Sequence, residues 1–160
     1  EVGKFVFAID TKATNLYGPV EAYAYVVVDG KKELKDSHKL TIKANIVEDF
    51  SSLTIEQKQQ SPMLETKAVV DLGSIAAGKH LKGQIRVKNI GVNPLHIRRA
   101  YSADKQIMLK PCKAVKSSRV IQVDINTAGR NPGKYSREGV IISNDYEHSI
   151  QKVTLMWTVQ

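Results

Sequence analysis

The chain has 160 residues, of which 42% are apolar and 25% are charged, and its net charge is +8. This composition is typical of a folded domain with a substantial core and excludes a disordered chain. Its single cysteine, Cys112, excludes an internal disulfide and a cysteine-rich metal site. No apolar run approaches the roughly 20 residues that a membrane helix needs.

The first 66 residues carry three strand patterns and one helical pattern. Residues 5–9, 23–28 and 40–46 are β-branched, aromatic or alternating, and Asp29-Gly30 closes the second run as a turn. Residues 1–4 show no secretory signal, which by itself does not decide the compartment. Residues 54–60 form the helical pattern, with Thr54 and Gln57 at capping-box spacing and Pro62 as the stop. We predict a short helix or turn there, within an interdomain linker at 51–66.

A longer series of strands follows from residue 67. Residues 81–89 alternate between apolar and polar side chains, and Ile121, Val123 and Ile125 point inward in the same manner. Seven short strands separated by Gly, Asn and Pro turns predict a β-sandwich over 67–160. The predicted strands are residues 69–72, 81–89, 95–98, 107–109, 120–125, 139–143 and 153–159.

The charge distribution supports a division into two domains. Residues 67–160 carry 16 basic and 6 acidic side chains, whereas residues 1–50 carry 7 and 8. The whole positive excess therefore lies in the C-terminal part, which predicts a boundary near residue 60.

An internal repeat links the two parts. Residues 7–11 match 123–127, residues 24–29 match 139–144, and residues 40–42 match 153–155. Residues 1–50 therefore correspond to the C-terminal half of a first domain, and the apolar face of three strands would otherwise meet water. We expect the missing strands to be absent from this sequence, supplied by another chain in an oligomer, or replaced by contact with the second domain.

The sequence contains no pattern typical of catalysis, cofactor binding or metal binding. His38, His80, His96 and His148 have no metal-ligand spacing, and no phosphate-binding loop or nucleophile elbow occurs. We therefore expect a protein that is not an enzyme and that has no cofactor and no metal.

Basic side chains form the first candidate binding surface. Lys82, Arg86 and Lys88 lie on the outer side of one predicted strand, and Arg98 and Arg99 lie on the next. Consecutive strands of this kind belong to opposite sheets, so the charges would spread over two faces. A solvated basic face is the favoured interpretation, contact with an acidic protein or glycan is second, and the lack of stacking aromatic residues disfavours nucleic acid.

Apolar side chains that point outward form the second candidate surface. Val140, Ile142 and Met156 lie opposite the predicted core face, and the first repeat places Tyr23, Tyr25 and Val27 at matching positions. Such a row can mark an interface with a partner, or be covered by the linker or a neighbouring domain.

Several motifs resemble one known family, the hydin-like (ASH-type) immunoglobulin-like domains in their bacterial branch of unknown function. The motifs are residues 72–78 (LGSIAAG), 85–91 (IRVKNIG), 93–97 (NPLHI), 122–127 (QVDINT), 132–136 (PGKYS) and 141–145 (IISND). The resemblance covers residues 67–160, and residues 1–50 are similar to the tail of a preceding copy.

The resemblance implies an all-β, immunoglobulin-like sandwich related to the major sperm protein fold, preceded by a partial second copy. It also implies tandem copies, a periplasmic, cell-surface or secreted location, and interaction rather than catalysis. Many bacterial members carry a Cys-Gly-Cys-like element where this chain has residues 101–104 (YSAD), so no thiol or metal role is carried over. We expect an exported interaction or structural module with a protein partner or neighbouring domain. The alternative is a module that binds an acidic ligand through its basic C-terminal domain.

Overall fold

A computed structural model of the chain describes Val6, Ala8, Asp10 and residues 16–28 and 30–160. The chain divides into two compact units, unit 1 (residues 1–47) and unit 2 (residues 48–160). Most of the predicted first strand, including Phe5, Phe7 and Ile9, lies outside the described residues, as does Asp29 of the predicted turn.

Unit 1 contains a two-stranded antiparallel ribbon. Strand β1 (Gly18–Tyr25) pairs with β4 (Lys39–Ile46), and the short strands β2 (Val27–Val28) and β3 (Lys31–Lys32) pair between them. A 3₁₀ helix, Asp36–His38, leads into β4. Because side chains alternate along a strand, Ala22, Ala24, Leu40 and Ile42 share one face, and Tyr23 and Tyr25 lie on the other.

Unit 2 begins with a capped helix, α1 (Ile55–Gln59). The backbone N–H of Gln57 donates to Thr54 Oγ1 over 3.3 Å, and the Thr54 N–H donates to Gln57 Oε1 over 2.9 Å. These reciprocal bonds satisfy donors that a helix start leaves free. The capping box that the spacing predicts is therefore present.

Nine strands of unit 2 form two packed sheets. They are β5 (Leu64–Thr66), β6 (Val69–Ile75), β7 (His80–Asn89), β8 (Leu95–Ser102), β9 (Ile107–Lys110), β10 (Ala114–Val115), β11 (Ser118–Asn126), β12 (Gly133–Ser143) and β13 (Ile150–Val159). The five-stranded sheet has the order β10-β8-β12-β13-β6, and the four-stranded sheet has the order β5-β7-β11-β9. All pairs are antiparallel except β6 with β13. The predicted all-β, immunoglobulin-like sandwich is confirmed.

The core lies between the inner faces of these two sheets. Each sheet contributes alternate side chains that are buried to 2% exposure or less, among them Ile85, Ile121 and Ile125 facing Ile141, Val153, Leu155 and Trp157. Full burial of such a side chain stabilises the fold by roughly 1.5–3 kcal/mol. The inward positions predicted for β11, namely Ile121, Val123 and Ile125, are confirmed.

Two details of the strand pattern differ from the sequence prediction. The strand predicted to end at Gly73 continues to Ile75, because Gly73 adopts a φ of +81° and the pairing with β13 shifts register there. A glycine that tolerates this conformation bends an edge strand without ending it. The short strands β5 and β10 were not among the seven predicted, and β5 lies within the segment predicted as a linker.

The residues that the sequence comparison matched between the two parts are paired with each other within each unit. In unit 1, Ala24 faces Leu40, and in unit 2 the matching residues Gly139 and Val153 face each other.

Candidate interaction surfaces

The outer face of the five-stranded sheet carries two apolar side chains that are buried outside the core. Val140 and Ile142 are 8% and 1% exposed, yet they are not part of the core cluster to which Ile141 between them belongs. Their cross-strand neighbours on β8 are Tyr101 and Arg99. The two residues predicted to point outward are therefore buried on the outer face rather than exposed to solvent.

The same face keeps exposed apolar side chains on its other strands. Ile150 and Met156 on β13 are 42% and 41% exposed, and Val69 on β6 is also exposed. Val69 faces Thr154, two residues before Met156, so Val69 and Met156 are diagonal neighbours on the outer face. Of the predicted outward row in unit 2, Met156 alone remains open to solvent.

The start of unit 2 is attached to its own sandwich by an ion pair and an aromatic contact. Arg98 Nη2 and Nε lie 2.6 and 2.9 Å from the two carboxylate oxygens of Glu48. Phe50 meets Tyr146 edge to face at 5.8 Å, and the Lys58 ammonium lies 5.0 Å from the Tyr146 ring. Glu48, Phe50 and Lys58 therefore attach the start of unit 2 to its sandwich.

The five basic candidates lie on two different sheets, as the strand order predicted. Lys82, Arg86 and Lys88 are exposed on the outer face of β7 in the four-stranded sheet. Arg98 and Arg99 belong to β8 in the five-stranded sheet, where Arg98 binds a carboxylate and Arg99 lies 4.8 Å from the Tyr101 ring. The structure does not bring the two groups together.

One groove adjoins the basic row of β7. Its volume is about 490 Å³, and it is lined by Glu65, Thr66, Lys67, Val70, Gln84, Arg86 and Lys88. Lys88 Nζ lies 3.4 Å from Glu65 Oε2, so these two charges neutralise each other. Lys67 and Arg86 have no ion-pair partner among the described residues. Lys67 is not among the predicted basic candidates, because β5, which it follows, is a three-residue strand without a recognisable sequence pattern.

In unit 1, the aromatic candidates lie together on the polar face of the ribbon. Tyr23 and Tyr25 meet edge to face at 5.9 Å, and the Lys39 ammonium lies 4.7 Å from the Tyr23 ring. Tyr23 and Val27 are exposed and Tyr25 is half-buried.

Buried polar side chains of unit 2 bind backbone rather than surround a cavity. Asp145 accepts hydrogen bonds from the backbone N–H groups of Leu64, Glu147 and His148 at 2.8, 3.0 and 3.0 Å. Thr127 Oγ1 accepts from the Lys79 N–H at 2.9 Å. These contacts close loops and edges, which is a structural role.

Asp104, Arg130 and Arg137 form a charged cluster whose members bind one another. Asp104 Oδ2 accepts hydrogen bonds from Arg130 Nη2 at 2.6 Å and from Arg137 Nε at 3.2 Å. Burial alone would raise the pKa of Asp104, but the Arg130 hydrogen bond and charge outweigh it and hold this pKa below its ordinary value. The Arg130 guanidinium lies 5.1 and 5.3 Å from the Tyr135 and Trp157 rings, which themselves stack.

Groups that could react or bind a metal are sparse. Within the described part of the chain, no three His, Cys, Asp or Glu side chains are grouped closely enough to hold a metal ion. Cys112 is half-buried, and this burial raises the pKa of its thiol. No helix among the described residues is both long and apolar enough to span a membrane.

Comparisons with known proteins identify the fold. The chain resembles a crystal structure of a protein of unknown function from Porphyromonas gingivalis W83, with a TM-score of 0.62 and 15% identity over 89% of this chain. This chain spans 66% of that structure, slightly less than two thirds. The aligned share exceeds unit 2 alone, which is residues 48–160, so the likeness extends into unit 1.

Two further structures are similar at TM-scores below 0.5, and likenesses this weak have no bearing on function. The Vibrio cholerae VesB protease has a TM-score of 0.45 and 12% identity, with 61% of this chain and 31% of that chain covered. The ASH / PapD-like domain 7 of human CEP192 has a TM-score of 0.42 and 8% identity, with 73% and 93% covered. No curated protein matches the sequence.

The sequence itself matches a family over the region that forms the sandwich. Residues 62–156 match the family described as HYDIN/CFA65/VesB-like, Ig-like domain. This match covers more than half of the chain and spans the strands from β5 to most of β13. The chain therefore belongs to the HYDIN/CFA65/VesB-like family of immunoglobulin-like domains.

Proposed function

We propose that this chain is a non-catalytic module that binds a protein partner through the outer face of its five-stranded sheet. The observation that carries the proposal is that buried polar side chains of unit 2 are engaged in hydrogen bonds with its own backbone. Asp145 and Thr127 are buried polar side chains, and both are taken up by backbone hydrogen bonds of loops and edges. Unit 2 therefore offers surface to other molecules, and β13 and β6 expose the apolar side chains of Val69, Ile150 and Met156 on one face.

The partner's contact is centred on Met156 and Val69. These diagonal neighbours present apolar surface on a face whose middle strand is already covered at Val140 and Ile142. A partner that covers Met156 and Val69 removes their apolar surface from water, which favours binding.

Site-specific photocrosslinking tests this interface. A photoreactive amino acid at position 156 should crosslink the whole protein to one defined partner in its native cell. The same group at Gln122, an exposed position on the four-stranded sheet, should not crosslink to that partner. Equal crosslinking at both positions, or crosslinking at neither, would refute this interface.

We also propose that unit 1 is the C-terminal half of a preceding sandwich. The equal registers of Ala24 with Leu40 and of Gly139 with Val153 support this, as does the fold likeness that extends into unit 1. A two-stranded ribbon is marginally stable in water, so its apolar face needs cover. A peptide of residues 1–47 should therefore be unfolded alone, by circular dichroism, and a folded peptide would contradict the proposal.

The proposed location is periplasmic, cell-surface or secreted. Its support is the resemblance to exported bacterial members of the family. Fractionation of cells that produce the tagged, full-length protein tests it, and a purely cytoplasmic protein would overturn it.

A further inference from the structure

Strand β7 has an edge that is only partly paired. Along its whole length β7 pairs with β11, whereas on its other side β5 pairs with only Val87, Lys88 and Asn89. The chain leaves β5 after Thr66 and enters the five-stranded sheet as β6. Within unit 2, no strand pairs with this side of β7 from His80 to Arg86.

Backbone groups on this edge point outward into the groove. The Thr66 hydroxyl donates a hydrogen bond of 2.9 Å to the carbonyl oxygen of Arg86, which therefore faces the side of β5. In a strand, the N–H and C=O groups of alternate residues point to the same side. Those of Lys82 and Gln84 consequently face the open edge, where they can pair with an added strand.

β6 passes over the inner face of β7 and does not close this edge. A Cβ atom at Gly83 would overlap Leu72 of β6, so the two strands are in close contact on the core side. This contact occupies the inner face of β7 at Gly83 and adds no strand pairing to the edge.

The charge around this edge is positive. Lys67 and Arg86 line the groove without ion-pair partners among the described residues, and Lys82 lies further along the same face of β7. The carboxylate of Glu65 is paired with Lys88. Asp124 lies on the β11 side of Lys82, and its Oδ1 is 2.7 Å from His80 Nδ1.

We infer that this edge binds an acidic protein segment in an extended conformation, which adds to the sheet as a strand beside β7. Main-chain hydrogen bonds to Lys82 and Gln84 provide the attachment, and carboxylates two and four residues apart contact Arg86, Lys67 and Lys82. Side chains on one face of a strand repeat every second residue, about 6.6 Å apart. A glycan or nucleic acid offers the negative charge but not the strand backbone. This inference specifies a second contact surface within the proposed binding function.

The test uses a fluorescent peptide, Thr-Glu-Val-Glu-Val-Glu-Thr, and the full chain, with anisotropy measured at low salt and at 0.15 M salt. We expect Arg86→Gln to weaken binding about tenfold at low salt and Lys67→Gln to weaken it several-fold. Lys110→Gln removes the same charge from the opposite edge strand β9, and its effect should be below twofold. A peptide with Gln in place of each Glu should lose most of the binding.

A peptide N-methylated at alternate amides separates strand addition from simple charge attraction. It keeps all carboxylates but cannot donate hydrogen bonds on the edge that faces β7, so its binding should fall at least tenfold. Equal binding of the N-methylated peptide, or no effect of Arg86→Gln, would overturn the inference. So would tight binding of heparin or a short oligonucleotide with no binding of the peptide. The crosslinking result at Met156 is independent of these outcomes, because that residue lies on the other sheet.

Discussion

Replacement of Asp145 by alanine should destabilise unit 2 more than any change at an exposed acidic residue. The side chain is 1% exposed and joins the loop between β12 and β13 to the first residue of β5. Its oxygens accept three backbone hydrogen bonds, from Leu64, Glu147 and His148. Asp145→Ala leaves all three donors without this partner.

The expected loss follows from where those donors lie. A hydrogen bond to a charged group contributes roughly 1.5–3 kcal/mol, and a buried donor without a partner costs about 1–3 kcal/mol. The bond to Leu64 is buried, whereas the loop N–H groups of Glu147 and His148 are half-buried and regain some water. We expect Asp145→Ala to cost about 3–5 kcal/mol, a large part of the roughly 5–15 kcal/mol of a whole domain.

Urea unfolding measures this loss. At an m-value of about 2 kcal/mol/M, a loss of about 4 kcal/mol lowers the midpoint by about 2 M with m unchanged. Asp145→Asn keeps one acceptor oxygen and should lose about 2 kcal/mol. The control is Asp71→Ala, which removes an exposed 2.8 Å bond to the Gly73 N–H and should cost about 0.5–1 kcal/mol. A loss of below about 1 kcal/mol for Asp145→Ala would refute this reasoning.

Three further predictions concern the boundary, the backbone and the acid response. A fragment of residues 48–160 should unfold cooperatively in urea at the midpoint of unit 2 in the whole chain. Residues 67–160 lack β5 and should be less stable by about 3 kcal/mol or more, since the hydrogen bond to Asp145 and the buried Leu64 side chain are both lost. Gly91→Ala should cost about 2–4 kcal/mol by thermal unfolding because its Cβ would overlap backbone atoms, and Gly83→Ala should cost less because it would meet a flexible side-chain end. Asp104 has a lowered pKa, so its stabilisation is present above the unfolded pKa of about 3.9 and is lost as the pH falls through the lower folded value. The stability gap between the native protein and Asp104→Asn should therefore narrow as the pH falls below about 3.9, and a gap that stays constant at acid pH would contradict this assignment.

Much of the fold was readable from local patterns. The alternation in β7 and β11 identified their inward residues, and the spacing of Thr54 and Gln57 identified the capping box of α1. These features depend on neighbours within a few residues, where side-chain direction repeats with the period of the element. The domain boundary stays a prediction, although the structure divides the chain at residues 47 and 48.

The candidate surfaces were only partly readable. Outward orientation was predicted for Val140 and Ile142, but their burial was not, because strand alternation gives the direction of a side chain and not what packs on it. Lys67 was missed for a related reason. It follows β5, a three-residue strand that is recognisable only through its pairing with β7.

By itself, the sequence determined that the chain is an all-β protein and which positions of β7 and β11 face the core. Period-two alternation and turn residues act over short distances, so they are written in consecutive residues. Only the tertiary structure decided that Asp145 binds the edge strand 81 residues before it and that one side of β7 is largely unpaired. Each of these depends on which strands become neighbours when two sheets pack, and that choice minimises exposed apolar surface over the whole domain rather than over any one segment.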